Sequence, residues 1–339
     1  STLLEKEGGG NIMYVGDTVK TLLNMHDLNN ERAEEIRRVP IIYRRKDGKW
    51  DIFEEAVAIS GLMVKRWHFA NMVELGDKDD FCRLCKNLEA VRIPSEKGKA
   101  VRSEIDIIEE CAGEDIHGFL RANPMLRRES LIKFSWMLPL LNDDIIETFG
   151  LPTPFRVVQH TRNIREISDE AASRMKVSKE ELSRWQMPYP RSYATGLYGF
   201  VSLLDLEHVG YSFTNQSTIQ DESKRMNRRR IAVQAYIPLI TGACGASLAR
   251  ALPVADILEI ITVLSNKPIP APIHPLYPDY VEENAKLYQS VSDAMHSNTT
   301  MYVWSKEKEY EEIKEKNFKL SIVEKPAEGF AEIIRRMES

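Results

Sequence analysis

One stretch constrains this chain more than any other, a basic segment that runs into a glycine loop between Arg228 and Pro253. Three consecutive arginines, Arg228, Arg229 and Arg230, precede an apolar run. This run predicts a helix packed on a sheet. The loop that follows carries Gly242, Gly245, Ser247 and Arg250. Glycine lets a backbone approach a ligand closely, and the unpaired amides of such a turn favour an anion. The stretch therefore predicts a protein that binds phosphate backbones, with an ordinary solvated turn as the alternative.

The charge of the whole chain limits where such a site can lie. A chain of 339 residues with 43% hydrophobic content can bury a large core. Its formal net charge is -5, so a nucleic-acid surface must be a local groove and not a basic coat. No apolar run is long enough to span a bilayer, and the first residues lack the order of a signal peptide. We therefore expect a cytoplasmic protein that is not associated with a membrane.

Hydrophobic patterning predicts strands and helices that alternate along the chain. Residues 11–24 predict a strand interrupted near Gly16, and Asp47-Gly48 between β-rich runs predicts a hairpin. Ser60 is placed to cap a helix over 61–75 that Gly76 ends. Further strands are predicted at 131–140, 155–161, 193–206, 256–265 and 301–304, and a helix at 280–296. The tail predicts a charged helix, a strand at 320–323 and a last helix, so the order is that of an α+β, ferredoxin-like or RNA-recognition-like unit with long insertions.

Two other basic features could meet an anion. Lys65 and His68 share a polar edge of the helix over 61–75. The alternative is that Lys65 extends along apolar surface while His68 contacts the core. A second cluster surrounds the strand at 155–161 and consists of Arg156, His160, Arg162 and Arg165.

An aromatic strand at 196–201 is similar to the base-stacking strand of RNA-recognition motifs, although it is offset by one residue. Tyr198 and Phe200 would be the stacking rings. Core packing is the alternative, because glycine and aromatic residues also alternate in buried strands.

The four cysteines are too few and too unevenly spaced for a secreted disulfide scaffold. They are Cys82, Cys85, Cys111 and Cys244. Cys82-x-x-Cys85 followed by Cys111 offers three zinc ligands, with Glu114 or His117 as the fourth. Because a structural zinc site needs four ligands, we expect reduced thiols and no cofactor, with zinc as the alternative. Asp115 and His117 lack a nearby nucleophile, so they do not predict a catalytic site.

The chain contains, in this order, the segments VPIIYRR, AISGLMVKRWHFANMVEL, the C-x-x-C to DIHGFL segment, LIKFSWMLP, VVQHTR, TGLYGFVSL with VGY, and GACGASLARALP. Together these segments resemble the backbone subunit of archaeal type I-A CRISPR Cascade complexes, the DevR-like branch of the repeat-associated RNA-binding (RAMP) superfamily. The resemblance implies one elaborated palm over residues 1–339, with a finger-like insertion at 77–126 and a thumb-like insertion at 161–192. It also implies a non-catalytic subunit of antiviral defence. Such a subunit binds CRISPR RNA, forms a helical filament with copies of itself, contacts other Cascade subunits and presents the guide for pairing with target DNA.

The resemblance assigns RNA contacts residue by residue. It places the guide backbone against the helix that bears Lys65, Arg66 and His68, and against the loop at 242–247 with Arg250. One departure is the fourth position of the paired cysteines, where related sequences often have cysteine and this sequence has Glu114, which argues against bound zinc. Two other functions stay open: a RAMP endoribonuclease that uses a histidine such as His68 or His160 or a loop aspartate, and a DNA-binding regulator. Neither a compact catalytic constellation nor a helix-turn-helix signature favours them.

Overall fold

The structure is a computed structural model. It describes residues 14–28, 30–32, 35–45, 47–89, 102–122, 125–141, 143–150, 155–159, 169–176, 178, 189–241 and 252–338. Several predicted RNA contacts lie outside the described residues, namely His160, Arg162, Arg165, Gly242, Gly245, Ser247 and Arg250. Most of the thumb-like insertion at 161–192 also lies outside them.

A nine-stranded mixed sheet organises the described chain. The strands are β1 (Tyr14–His26), β2 (Asn30–Arg32), β3 (Glu35–Ile36), β4 (Arg38–Arg44), β5 (Trp50–Val57), β6 (Phe119–Arg121), β7 (Leu126–Arg128), β8 (Ile132–Phe134), β9 (Leu138–Pro139), β10 (Phe155–Gln159), β11 (Tyr189–Asp205), β12 (Tyr211–Ser212), β13 (Ser217–Thr218), β14 (Val254–Ser265), β15 (Thr299–Ser305), β16 (Ile313–Lys314) and β17 (Phe318–Ile322). The helices are α1 (Gly61–Leu75), α2 (Arg83–Lys86), α3 (Glu104–Glu110), α4 (Ala112–His117), α5 (Asp143–Phe149), α6 (Asp169–Arg174), α7 (Glu222–Gln234), α8 (Tyr236–Thr241), α9 (Tyr280–Met295) and α10 (Glu328–Glu338), with a 3-10 turn at Lys78–Asp80. The predicted α+β class is confirmed.

The sheet order is β10-β11-β1-β14-β15-β17-β16, and β8 and β9 also pair with β11. Every pair in this sheet is antiparallel apart from β15 and β17, which are parallel. The hairpin predicted at Asp47-Gly48 is confirmed, because β4 and β5 pair antiparallel around it. Within the described ranges no helix has both the length and the apolar character needed to cross a membrane.

Strand β1 lies at the centre of this arrangement. Val19 faces Phe200 of β11 on one side and Ile260 of β14 on the other. The predicted interruption at Gly16 is wrong, since β1 is continuous there. A Cβ at Gly16 would lie 3.1 Å from Cγ of Pro272, so this glycine leaves room for the proline-rich segment that crosses the sheet.

The sheet separates two apolar layers. Alternate residues of β14 point to opposite faces, Ile260 and Leu264 to one and Ile261 and Val263 to the other. Helices α1, α7, α8 and α10 cover the first face, and α9 covers the second. This alternation explains why β14 is apolar on both faces, as its continuous apolar run predicts.

Helix α1 has the predicted bounds. The Ser60 hydroxyl accepts a hydrogen bond from the Met63 amide at 3.3 Å, and the Gly76 amide donates to the Met72 carbonyl at 2.9 Å. These local contacts satisfy backbone groups that a helix end otherwise leaves unpaired. The first and last residues of α1 are therefore set by residues close to them in the chain.

Two predicted elements differ from the structure. The basic helix begins earlier, at Glu222, because Asp221 accepts from the Lys224 amide and caps it, so Arg228 lies in the middle of α7. The charged helix predicted after Trp304 is wrong: the described elements there are β16 and β17. The backbone amide of Lys306 donates to the Leu258 carbonyl at 2.8 Å, which holds the start of this region beside β14.

Candidate nucleic-acid interface

A surface groove of about 560 Å³ opens where α1 begins, and we call it the Lys65 groove. Three parts of the chain form it: the residue before β4, the start of α1, and the β8–β9 region. Its lining side chains that carry charge or an exposed ring are Arg37, Lys65, Glu129, Lys133 and Trp136. The groove thus contains one predicted contact, Lys65, together with residues that the sequence did not single out.

Backbone pairing builds the wall of this groove. Ile59 and Met137 exchange two hydrogen bonds, at 3.0 and 2.8 Å, which places Trp136 beside the first turn of α1. Gly61 makes this approach possible, because a Cβ there would lie 2.5 Å from the Phe134 carbonyl oxygen. A larger residue would push α1 away from β8.

The groove suits a single-stranded nucleic acid. Three basic side chains face one acidic side chain, Glu129, so the local charge is positive although the whole chain is acidic. The guanidinium of Arg37 lies 5.7 Å from the centroid of the Trp136 ring, which is 37% exposed. Basic residues hold phosphates, and an exposed indole gives a base a face on which to stack. Lys65 is positioned by its own hydrogen bond, which Nζ donates to the His117 carbonyl at 3.2 Å.

His68 does not lie in the groove. Its side chain is fully buried, with Nε2 2.8 Å from the Ala232 carbonyl oxygen and Nδ1 3.1 Å from Nε2 of His117. A carbonyl only accepts, so Nε2 of His68 carries the ring proton. Burial lowers the pKa of His68 to about 4, which leaves the ring neutral at neutral pH. The prediction that His68 contacts RNA is corrected: this histidine contacts the core, as the alternative had it.

Arg228 and Arg229 are also buried. Arg228 is 0% exposed, and its guanidinium binds Asp80 and Asp115. Arg229 donates from Nε to the Leu206 carbonyl at 2.8 Å. The prediction of RNA contacts at these two arginines is corrected as well, because their guanidinium groups bind carboxylates and a backbone carbonyl inside the protein.

Arg230 is exposed but faces an acidic groove of about 660 Å³. Acidic side chains outnumber basic ones there, the acidic ones being Asp77, Asp79, Asp80, Asp221 and Glu338 and the basic ones Lys224 and Arg230. A phosphate backbone would be repelled at this place. The α7 part of the predicted basic surface is therefore not a favourable RNA interface.

Two other residues predicted to contact RNA, Arg66 and Arg156, are exposed. Arg66 extends from α1 and donates from Nη2 to the Leu88 carbonyl at 2.8 Å, and Arg156 is exposed on β10. Both stay predictions, together with Lys65. Arg37, Lys133 and Trp136 were missed, because no local pattern indicates that three distant segments meet beside α1.

The rings of the aromatic strand are buried too. Tyr198 is 0% and Phe200 is 3% exposed, so these rings pack in the core and do not offer stacking faces. The core-packing alternative is the correct one for β11.

The cysteines at the start of α2 meet the one between α3 and α4. One potential ligand atom from each of Cys82, Cys85, Cys111 and Glu114 lies within 4.8 Å of all the others. Hydrogen bonds with Cys111 and Cys85 lower the pKa of the Cys82 thiol, and hydrogen bonds with Cys111 and Cys82 raise the pKa of the Cys85 thiol. His117, the other candidate for a fourth ligand, points instead to His68. The fourth cysteine in the sequence, Cys244, lies outside the described residues.

The sequence matches a known family and is similar to archaeal proteins. A family described as "CRISPR-associated negative auto-regulator DevR/Csa2" matches residues 18–285. A Methanocaldococcus jannaschii protein named CRISPR-associated protein Cas7/Cst2/DevR is 36% identical over 297 residues, which are 81% of this chain and 90% of that protein. The Saccharolobus solfataricus protein named CRISPR-associated protein Cas7/Csa2 1 is 25% identical over 286 residues, or 77% of this chain and 82% of that protein.

A chain of a structure titled "CRISPR RNA-guided surveillance complex, pre-nicking" has a TM-score of 0.48 and 10% identity, and the match covers 95% of this chain and 100% of that one.

Proposed function

The chain belongs to the DevR/Csa2 family of CRISPR-associated proteins, and from this premise we propose that it is a non-catalytic backbone subunit of a type I-A Cascade complex. In this role it binds CRISPR RNA and holds the guide for pairing with target DNA. Its partners are copies of itself along the guide and the other subunits of the complex.

The observation that carries this proposal is the Lys65 groove. Lys65, Arg37 and Lys133 supply positive charge for phosphates, and Trp136 supplies a ring for a base. Basic side chains can hold phosphates and a ring can stack on any base, so we expect binding that depends on the backbone and not on the sequence. A subunit that must hold any guide sequence needs this kind of contact.

We further propose that the sheet forms a ferredoxin-like palm. The order β14-β1-β11-β8, with α1 and α7 on one face, matches the connection order of a βαββαβ unit and supports this interpretation. The finger-like insertion at 77–126 and the thumb-like insertion at 161–192 stay part of the proposal.

A salt titration tests RNA binding. Fluorescence anisotropy with labelled CRISPR RNA, and with an unrelated RNA of the same length, gives the affinity at several salt concentrations. For Lys65→Gln we expect equal weakening for both RNAs and a salt slope reduced by about 0.7 for each phosphate that the variant no longer neutralises. The matched control is Lys319→Gln, an exposed lysine on β17 near the other end of the sheet.

Three results would count against the proposal. Wild-type protein that does not bind RNA would reject it outright. A Lys65→Gln variant that binds as tightly as Lys319→Gln would reject the Lys65 groove as the contact. A change of sequence preference with an unchanged salt slope would reject contact through the backbone.

Regulation of its own gene is the second candidate, favoured by the words "negative auto-regulator" in the family description. It predicts binding to a specific DNA duplex, so duplex DNA belongs in the same titration. An endoribonuclease would instead shorten the labelled RNA on a denaturing gel. His68 is a poor general acid or base for that reaction, because it is buried against Ala232.

Assembly is tested separately. Sedimentation or electron microscopy with long RNA should reveal regular arrays of wild-type protein, because each added copy meets both RNA and the preceding copy. Deletion of residues 168–184, within the thumb-like insertion, should leave a folded monomer that forms no regular arrays. Normal arrays of the deletion variant would reject the thumb assignment.

A further inference from the structure

The cysteine cluster joins two segments that are distant in the chain. Cys82 precedes α2 and Cys85 lies within it, whereas Cys111 lies between α3 and α4 and Glu114 is in the first turn of α4. Cys85 and Cys111 are each 1% exposed, Glu114 is 2% exposed and Cys82 is half-buried. The fold therefore brings three thiols and a carboxylate together in its interior.

The spacing of these groups fits a tetrahedral ion. Bonds of about 2.3 Å to sulfur and about 2.0 Å to oxygen place two sulfurs about 3.8 Å apart, and a sulfur and an oxygen about 3.5 Å apart, around zinc. Cys85 Sγ and Glu114 Oε1 are 3.6 Å apart, and all four ligand atoms lie within 4.8 Å of one another. Small side-chain adjustments are enough to complete the tetrahedron.

Three sulfurs and one carboxylate oxygen indicate which metal fits the site. Among sulfur ligands the soft and borderline metals are preferred, and zinc accepts both thiolate and carboxylate in tetrahedral sites. We propose that Cys82, Cys85, Cys111 and Glu114 bind one Zn²⁺ as a closed structural site.

Binding is balanced in protons and charge. Each of the three thiols releases its proton to solvent when its sulfur binds the ion, and Glu114 binds as the carboxylate. Four protein ligands fill the tetrahedron and leave no position for a reactive water, so the site is structural and not catalytic. The ion would tie α2 to α4 next to Asp80 and Asp115, the two acids that hold Arg228.

Metal content tests the site in the full chain. Protein reconstituted with zinc under reducing conditions and then desalted should hold about one ion per chain by elemental analysis and by native mass spectrometry. With Co²⁺ in place of zinc, we expect the intense visible absorption of tetrahedral cobalt and a sulfur-to-cobalt charge-transfer band in the near ultraviolet.

Matched variants assign the ligands. Glu114→Gln should weaken zinc binding at least about tenfold, whereas Glu109→Gln, an exposed glutamate in α3, should not. Cys111→Ser should lose the ion and Cys244→Ser should keep it. Glu114→Cys should keep one ion and strengthen the charge-transfer band of the cobalt form.

Two results overturn the proposal. The first is reconstituted wild-type protein that holds no zinc and whose thiols react with a thiol reagent equally fast with and without zinc. The second is a folded Glu114→Gln variant with wild-type zinc affinity and an unchanged cobalt spectrum, which would exclude Glu114 as a ligand. Because both measurements use wild-type protein or the conservative glutamine variant, they stay decisive even if Cys111→Ser does not fold.

Discussion

Arg228 of α7 binds Asp80 with 2.7 Å between its Nε and Oδ2 of the acid, although the two residues are 148 positions apart. The same guanidinium lies 3.0 Å from Asp115, whose other carboxylate oxygen lies 2.7 Å from Nη2 of Arg128. Glu104 completes the group through Nη1 of Arg128 at 2.8 Å. All five side chains are buried, so this network connects α7 to the segment between α1 and β8 from inside the protein.

The first prediction concerns Arg228. Replacement by methionine leaves Asp80 and Asp115 buried without one of their cations, and loss of one partner from a buried ion pair costs about 3–5 kcal/mol. We expect that loss in the free energy of unfolding, measured with urea and circular dichroism. Arg230→Met is the control, because Arg230 is exposed, and it should change stability by less than about 0.5 kcal/mol. Equal stability of both variants, with RNA affinity reduced only in Arg228→Met, would return Arg228 to the RNA interface.

The second prediction separates stacking from charge in the Lys65 groove. Trp136→Ala removes a ring but no charge, so we expect RNA affinity to fall by about 1–3 kcal/mol with an unchanged salt slope. Lys133→Gln should instead reduce the slope. Trp50→Ala in β5 is the control, since Trp50 is 64% exposed and lies outside the groove. Equal affinities of the two tryptophan variants would exclude stacking on Trp136.

The third prediction concerns Gly61. A Cβ there would lie 2.5 Å from the Phe134 carbonyl oxygen and 2.7 Å from that of Ser135, and backbone atoms cannot move aside cheaply. We expect Gly61→Ala to destabilise the protein by about 1–3 kcal/mol, measured by thermal unfolding. Leu62→Ala is the neighbouring control, because Leu62 is 78% exposed. A Gly61→Ala variant as stable as Leu62→Ala would mean that α1 does not approach β8 this closely.

The fourth prediction is a pH dependence of stability. Asp17 is fully buried, its Oδ2 accepts a hydrogen bond from Ser202 at 3.1 Å, and burial raises its pKa to about 8 from 3.8. Between these two values the folded chain keeps a proton that the unfolded chain loses. The stabilising effect of this proton is therefore complete below pH 3.8 and is lost as the pH rises through 8.

The variant Asp17→Asn isolates this effect. The difference in free energy of unfolding between wild type and variant should change by up to about 1.4 kcal/mol per pH unit in that window, to the disadvantage of the wild type as pH rises. Urea titrations at several pH values measure it. Parallel pH profiles of the two proteins would show that Asp17 does not carry this proton.

The sequence was sufficient where the cause of a structure is local. Ser60 and Gly76 set the first and last residues of α1 through contacts with residues three or four positions away. Asp47-Gly48 forms the turn that connects the paired strands β4 and β5. Such contacts depend on neighbours in the chain, so their residue types alone predict them.

The same reasoning failed where the partner is distant. Nothing near Arg228 indicates that Asp80 and Asp115, 148 and 113 positions earlier in the chain, neutralise its charge. The run of three arginines therefore predicts an exposed RNA-binding surface, which is wrong for Arg228. The pairing of Ile59 with Met137 places Trp136 in the Lys65 groove. No local sequence pattern predicts that pairing. For the cysteines, spacing identified three ligands, but only the fold could choose between Glu114 and His117.

The central position of β1 has a consequence for protein synthesis. On one side β1 pairs with β11, and Asp17 of β1 accepts a hydrogen bond from Ser202, which lies 185 residues later in the chain. On the other side β1 pairs with β14, and Thr21 of β1 donates to the backbone carbonyl of Asp256, which lies 235 residues later. The ribosome therefore synthesises β1 long before β11 or β14. Until those strands are made, the hydrogen-bonding groups on both edges of β1 have no partner strand in the sheet. Pairings this distant close slowly and leave strand edges open to association with other nascent chains. We expect the growing chain to depend on chaperones until β14 has emerged.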